Sequence, residues 1–266
     1  MDATNFFNAL WQQYIAKTPQ AELINKSLID QGERVVNDHV AFRTLKSSKI
    51  GIAAFEPVLA QLGYLPAGEY RFEDKHLYAK SYEHQDSASS YPKIFLSELL
   101  IDEFESPVVE RLNALLRQIP SDFEITPDFF YSGLPWQMPS WQDYLVLADV
   151  SEYAGWLSIN GMCANHFTIN VNSLETIKTL NDLLEVIRAL GLPLNETGGV
   201  IKGSPEVGLT QASTLADEQA FTFSCGHSAL VKTCFYEFAE RHPVAGKIYQ
   251  GFVTANADKI FHSTDR

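Results

Sequence analysis

Two short β-type runs, Asn37-Asp38-His39-Val40-Ala41-Phe42 and Ala164-Asn165-His166-Phe167-Thr168-Ile169, each carry one histidine near their start. An amphipathic helical stretch follows each run and stops at a leucine-glycine pair, Leu62-Gly63 in the first copy and Leu190-Gly191 in the second. The histidine-to-glycine spacing is 24 residues in one and 25 in the other. A strand–helix unit repeated with its polar residue in place predicts two equivalent modules that together build one site.

The rest of the chain can be placed around these copies. Residues 2–30 read as an amphipathic helix ending near Gln31-Gly32, 35–45 as a strand and 49–62 as a helix closed by Gly63. From 64 to 100 the pattern alternates as strands do, with a polar loop at 83–90. A helix opened by Ser106-Pro107, a Trp/Pro-rich segment (Pro135, Trp136, Pro139, Trp141) and a helix over 141–153 form an insertion. The second copy continues with a strand at 165–171, a helix at 173–190 capped by Ser173, a glycine-rich turn at 197–208, and strands at 209–214, 219–224 and 229–238. The expected organisation is an N-terminal helical segment (1–31), a first module (32–102), a helical insertion (103–160) and a second module with tail (161–266), packed as one domain.

Charge and cysteine usage exclude several classes. The chain of 266 residues has a formal net charge of −13 with scattered Lys and Arg, which argues against nucleic acid or an anionic membrane surface as partner. Cys163, Cys225 and Cys234 are odd in number and lack C-x-x-C spacing, so neither a disulfide framework nor a structural zinc site is expected. The first residues lack the basic start of a signal peptide, and no apolar run reaches membrane-spanning length. A soluble cytoplasmic protein is expected, and the sequence is silent on oligomeric state.

Strand periodicity then selects the chemistry. Residues two apart share a face, so His39, Ala41 and Arg43 point one way, as do His166, Thr168 and Asn170. Polar side chains between Val40, Phe42, Phe167 and Ile169 suit a face that lines a cavity. In the segment 234–241, Glu237 stands among aromatic residues, where a carboxylate is costly unless paired or metal-bound. Two histidines and a carboxylate with open positions are what a facial non-heme Fe(II) site requires. Each also has a plainer reading: hydrogen-bonded strand histidines, and a Glu237 paired with Arg241. Glu98, near the end of a first-module strand, is the rival carboxylate and a possible counterpart of Glu237, though a buried, paired residue is the reading it fits better. Gln211 and Ser213 share a face and are candidate substrate donors or ordinary barrel filling. His76, His84, His227, His242 and His262 lack repeat partners, and the glycines of 198–208 lack phosphate-loop spacing.

Paired β-α-β-β-β modules with these residues resemble the vicinal oxygen chelate superfamily. The run Phe235-Tyr236-Glu237-Phe238-Ala239-Glu240-Arg241 is similar to the strand that carries the metal-binding glutamate of 2-oxo-acid dioxygenases. More closely, His39-Val40-Ala41-Phe42-Arg43-Thr44, the segment 92–99, the stretch from Gly198 to Ser213 and Tyr236-Glu237-Phe238 together resemble the 2-oxoadipate dioxygenase/decarboxylase family, also called 2-hydroxyglutarate synthase.

The resemblance implies an α+β fold in which two pseudo-repeated β-α-β-β-β modules curl into an incomplete barrel with added helices. It implies Fe2+ held by His39, His166 and Glu237, a small dicarboxylic 2-oxo acid and O2 as partners, and oxidative decarboxylation of 2-oxoadipate to 2-hydroxyglutarate in lysine breakdown. Arg43 would bind a substrate carboxylate. Four residues span about 13 Å of strand, and a flexible Arg can reach back over Ala41 toward the metal. Otherwise Arg43 is a surface residue paired with Glu33 or Asp38. Two other functions remain open: a glyoxalase-like lyase or isomerase using Ni, Co or Zn, and a metal-free small-ligand binder. Gating of the pocket by the Trp136–Trp141 segment or by the tail from Gly251 to Asp265 is likewise open.

Overall fold

The computed structural model describes residues 1–265. Its N-terminal helix is two helices, α1 (Ala3–Lys17) and α2 (Pro19–Asp30). Proline has no N–H to continue the hydrogen-bond ladder and favours the first turn of a helix, so Pro19 ends one helix and begins the next. Asp2 caps α1 by accepting from the Asn5 N–H, and the buried stripe Phe6, Leu10, Tyr14 of α1 packs on the sheet. The first module follows as β1 (Asn37–Leu45), α3 (Ile52–Gln61), β2 (Tyr64–Phe72), β3 (Leu77–His84) and β4 (Lys93–Leu99).

The insertion holds α4 (Ser106–Leu116), then α5 (Trp141–Val150) and α6 (Glu152–Asn160), which are separate helices rather than the single one expected over 141–153. Ser151 makes the break, its side chain capping α6 through the Ala154 N–H. The second module comprises β5 (Ala164–Asn170), α7 (Leu180–Ala189), β6 (Lys202–Ser204), β7 (Leu209–Ser213), β8 (Glu218–Thr222), β9 (Ser228–Lys232) and β10 (Phe235–Arg241). Short β11 (Pro243–Val244) and β12 (Lys247–Ile248) pair with each other, and α8 (Thr254–Ile260) ends the described fold with a turn of 3-10 helix, Phe261–Thr264.

α7 begins seven residues later than the expected 173. Ser173 donates its hydroxyl to the Asn170 carbonyl instead of capping a helix. The backbone N–H groups of Glu175, Thr176 and Ile177 all donate to the Glu33 carboxylate, which holds this stretch out of a helix. The helix starts where Thr179 and Asp182 form a reciprocal capping box. Expected strands 219–224 and 229–238 are also corrected. β8 and β9 form a separate two-stranded hairpin, and the second run breaks at Thr233, whose N–H and hydroxyl bond to Asp217 and Lys17 carbonyls. Only from Phe235 does the chain enter the main sheet.

That sheet has eight strands in the order β2-β3-β4-β1-β5-β10-β7-β6 and curls into a half-barrel. The order reads outward from the centre as the same topology in both modules, which is the expected pseudo-symmetry. β1 and β5 are antiparallel neighbours, with Ala41 opposite His166 and His39 opposite Thr168. The two histidines are therefore diagonal neighbours across the central strand pair, within reach of one another. Each histidine strand pairs in parallel with its module's last strand, β1 with β4 and β5 with β10. Among the described residues no helix is long and apolar enough to cross a membrane.

The register also decides between the two carboxylates. Phe95 lies beside Ala41 as Glu237 lies beside Thr168, so Phe95 occupies the Glu237 position of the first module. Glu98 instead corresponds to Glu240. Glu98 accepts the Ile52 N–H at the start of α3, and Glu240 accepts the Leu180 N–H at the start of α7, both at the positive end of a helix. Glu98 is thus a buried helix anchor and not the counterpart of Glu237.

Candidate metal centre

Three neighbouring strands bring His39, His166 and Glu237 together. Glu237 Oε2 lies 3.1 Å from His166 Nε2, and Oε1 lies 3.6 Å from His39 Nε2. One donor atom from each residue falls within 4.8 Å of the others, and all three side chains are buried. Glu237 is not paired with Arg241, as the plainer reading had allowed.

The remaining polar atoms of each imidazole are engaged on the far side. His39 Nδ1 bonds Asp38 Oδ1 at 2.8 Å, and His166 Nδ1 bonds Asn165 Oδ1 at 3.0 Å. Both partners are acceptors, so each Nδ1 carries a proton and each Nε2 faces inward toward Glu237, the atom left to ligate an ion. The Thr168 hydroxyl lies 3.0 Å from His39 Nε2. Asp38 is in turn clamped by Arg241, Nε to Oδ2 at 2.6 Å and Nη2 to Oδ1 at 2.8 Å. Burial pushes the Asp38 carboxyl up, but Arg241 and His39 outweigh it and hold it well below the usual carboxylate range.

Protonation states favour a metal as well. Burial lowers the His166 pKa despite the nearby Glu237. Burial alone would raise Glu237, but the two histidines and a hydrogen bond from the Gln211 amide bring it below its ordinary value. A neutral His166 imidazole and an ionised Glu237 carboxylate are the forms that ligate a divalent cation. Two imidazole nitrogens and a carboxylate, with outer partners fixing the tautomers, fit such an ion in composition and in arrangement.

The centre opens on a cavity of about 30 Å³, lined by Ala41, Arg43, Phe95, Ser97 and Gln211 and roofed by Phe252, Ala257, Ile260 and Phe261. Arg43 lies on this wall as its shared face with His39 predicts. Its partners are Glu152 and Thr264, neither Glu33 nor Asp38. Gln211 faces the cavity, whereas Ser213 bonds the Ser263 hydroxyl and lies outside the lining. The tail folds over the site, and the Trp136–Trp141 segment does not reach it. Trp136 is buried against Ser158, and Trp141 packs on Tyr144 and Phe223.

The sequence reading named Asp38 and Arg241 only as possible partners of Arg43 and Glu237, not of each other, and Glu152 and Phe252 escaped it. Asp38 was legible as the residue before His39. Glu152 and Phe252 lie in segments without any strand periodicity to orient them, and only the tertiary fold brings them to the site.

Comparison with known proteins agrees with this architecture. The family model for 2-oxoadipate dioxygenase/decarboxylase matches residues 3–248. A 2-oxoadipate dioxygenase/decarboxylase of Oryza sativa, named chloroplastic/amyloplastic, is 32% identical over 94% of this chain and 75% of its own length. The crystal structure of the Oryza sativa hydroxyglutarate synthase in complex with 2-oxoadipate superposes with a TM-score of 0.90. It is 32% identical, over 99% of this chain and 93% of that one. A Ralstonia eutropha structure described under the glyoxalase superfamily shares the fold, with a TM-score of 0.75 and 24% identity over 94% of this chain and 85% of that one. With the matched region spanning both modules and the whole His39, His166, Glu237 cluster, the chain belongs to the 2-oxoadipate dioxygenase/decarboxylase family.

Proposed function

We propose that this protein is an Fe(II)-dependent enzyme that converts 2-oxoadipate and O2 to 2-hydroxyglutarate and CO2. The observation that carries this reading is the convergence of His39, His166 and Glu237 beside Arg43 on one cavity. The likeness to a rice relative whose structure holds 2-oxoadipate supports the choice of acid. The reaction balances without a second organic substrate, because one oxygen atom enters the new carboxylate and the other the new hydroxyl.

His39 and His166 would hold the ion through Nε2 and Glu237 through a carboxylate oxygen. An Fe(II) ion so held supplies O2 activation and an anchor for the 2-oxo acid. Asp38 and Asn165 keep the two Nδ1 protons in place, so the rings present one tautomer. Gln211 holds Glu237 through its amide, which limits the carboxylate's rotation. Arg43 offers a guanidinium to a carboxylate of the substrate. Phe95, Phe235, Phe252 and Phe261 exclude water, which strengthens each of these electrostatic contacts and protects the oxidising step from side reactions. In this reading the enzyme serves lysine breakdown in the cytoplasm.

The test is turnover by anaerobically prepared, Fe(II)-loaded protein supplied with 2-oxoadipate and air, with 2-hydroxyglutarate assayed as product. Formation of 2-hydroxyglutarate that is lost in His39→Ala, His166→Ala and Glu237→Ala supports it. Iron-loaded protein that leaves 2-oxoadipate unchanged refutes the substrate.

A further inference from the structure

Arg43 is gripped by segments outside the strand that carries it. Nη1 donates to Glu152 Oε1 at 2.7 Å, and Nη2 donates to Thr264 Oγ1 at 3.0 Å. The guanidinium lies 4.9 Å from the ring of Tyr153, 4.8 Å from that of Trp156 and 5.5 Å from that of Phe261. Its Nε–H is buried and has no hydrogen-bond partner among the described residues. Such an orphan costs free energy unless something else accepts from it.

Glu152 reaches Arg43 from the other side of the wall. It sits in the first turn of α6, where the helix dipole favours a carboxylate. It also lines an open surface cleft, together with Lys75, His76, Tyr153 and Phe261. The Glu152 side chain is 23% exposed, whereas that of Arg43 is 1% exposed. The cation is therefore buried between the cleft and the cavity, countered on the cleft side and carrying an unused donor.

We propose that Glu152 is a positioning residue for the reaction, whose bond fixes the Arg43 guanidinium and whose charge sets how tightly Arg43 takes a carboxylate. This rests on the reading that Arg43 binds the substrate. A buried guanidinium with no counter-charge would hold small anions, product included, more strongly than turnover tolerates. Glu152 offsets part of that attraction while keeping the fork in place, and it does so from a helix of the 103–160 insertion. The insertion would then contribute to the site through the charge on one arginine, without touching substrate.

Bond and charge separate by substitution. Glu152→Gln keeps an acceptor for Nη1 and removes the charge. Glu152→Asp keeps the charge and retracts the acceptor by one methylene. Protein loaded with redox-inactive Zn2+ is titrated calorimetrically with 2-oxoadipate and, separately, with pyruvate, at low and high salt, for wild type and both variants. Glu152→Gln is expected to bind about tenfold more tightly with a steeper salt dependence, and Glu152→Asp several-fold more weakly. In the iron enzyme KM should move in the same two directions, with kcat falling in Glu152→Gln as product release slows. A purely structural salt bridge would make both variants weaker, and that result, or no change beyond twofold in either, overturns the proposal. If wild type takes pyruvate with the opposite Gln and Asp effects but does not take 2-oxoadipate, the role of Glu152 stands and the substrate assignment fails. If it takes neither acid, both are overturned.

Discussion

Asp38 and Arg241, far apart in sequence, form a buried two-bond ion pair that serves both the metal centre and its cover. On one side Asp38 receives His39 Nδ1–H. On the other, Arg241 Nη1 donates to the carbonyls of Tyr249 and Gly251, at 3.1 and 2.9 Å. Those residues lead directly into Phe252, whose ring meets His39 edge to face at 4.9 Å. The orientation of a proposed metal ligand and the root of the tail thus depend on one pair of charges.

Asp38→Asn should therefore weaken metal binding without removing any ligand. Outer-sphere carboxylates of this type govern affinity by about 10–100-fold, and chelator competition on the folded variant measures the loss. Because Arg241 would be left buried without its counter-charge, urea unfolding should also show a loss of about 3 kcal/mol. Unaltered metal affinity would mean that His39 is oriented by something else.

Glu33 supplies a pH-dependent contribution remote from the metal. Burial raises its carboxyl, but hydrogen bonds from the Thr176 hydroxyl and the N–H groups of residues 175–177 lower it to about 2, from an ordinary 4.5. A depressed folded value means that stability is fully present above the unfolded pKa and drains away as pH falls from about 4.5 through about 2. At pH 7 Glu33→Gln should cost roughly 2–3 kcal/mol in urea unfolding, and the gap from wild type should close steadily below pH 4.5. A gap that stays constant down to the lowest pH at which the protein folds would contradict this.

The two carboxylates that the sequence left in competition should separate cleanly. Glu98→Gln weakens the anchor at the start of α3 and should cost roughly 1–2 kcal/mol while leaving metal affinity intact. Glu237→Gln should abolish tight metal binding with a far smaller effect on the α3 end. Equal loss of metal in both variants would argue against the register-based assignment.

Much of this was legible because strands have a strict period. His39, Ala41 and Arg43 could be placed on one face from spacing alone, and the repeated histidine predicted that two such faces would meet. Glu237 stood out as a carboxylate among aromatics. What periodicity could not deliver were effects of distant segments: Glu33 preventing a helix at 175–177, Ser151 splitting 141–160, and Asp217 and Lys17 breaking the strand at Thr233. Glu98 was a rival to Glu237 because it stands near the end of a first-module strand. Only the β1/β4 register shows that Phe95 holds the equivalent of position 237. The family resemblance added the acid and the reaction, which no spacing rule contains.

The cover over the cavity should move during turnover. A space of about 30 Å³ holds about one water molecule, far less than a six-carbon acid. Besides a backbone bond from the Ala216 N–H to the Ser263 carbonyl, the tail is attached through side chains, among them Asn256 to Gln211, Ser263 to Ser213 and Asn195, and Thr264 to Arg43. Amide hydrogen exchange in 254–264 should be much faster than in β1 and β5, and 2-oxoadipate should slow it. Tail exchange as slow as that of the central strands would require another route of entry.

The most direct test of the account is the stoichiometry of a single reaction mixture of Fe(II)-loaded protein and 2-oxoadipate, with O2 consumption, CO2 release and 2-hydroxyglutarate all measured. One O2 consumed for each CO2 released and each 2-hydroxyglutarate formed, with none of the three in Glu237→Ala, is the predicted result. Turnover of 2-oxoadipate with no O2 consumed would contradict it and point to redox-neutral chemistry at the same centre.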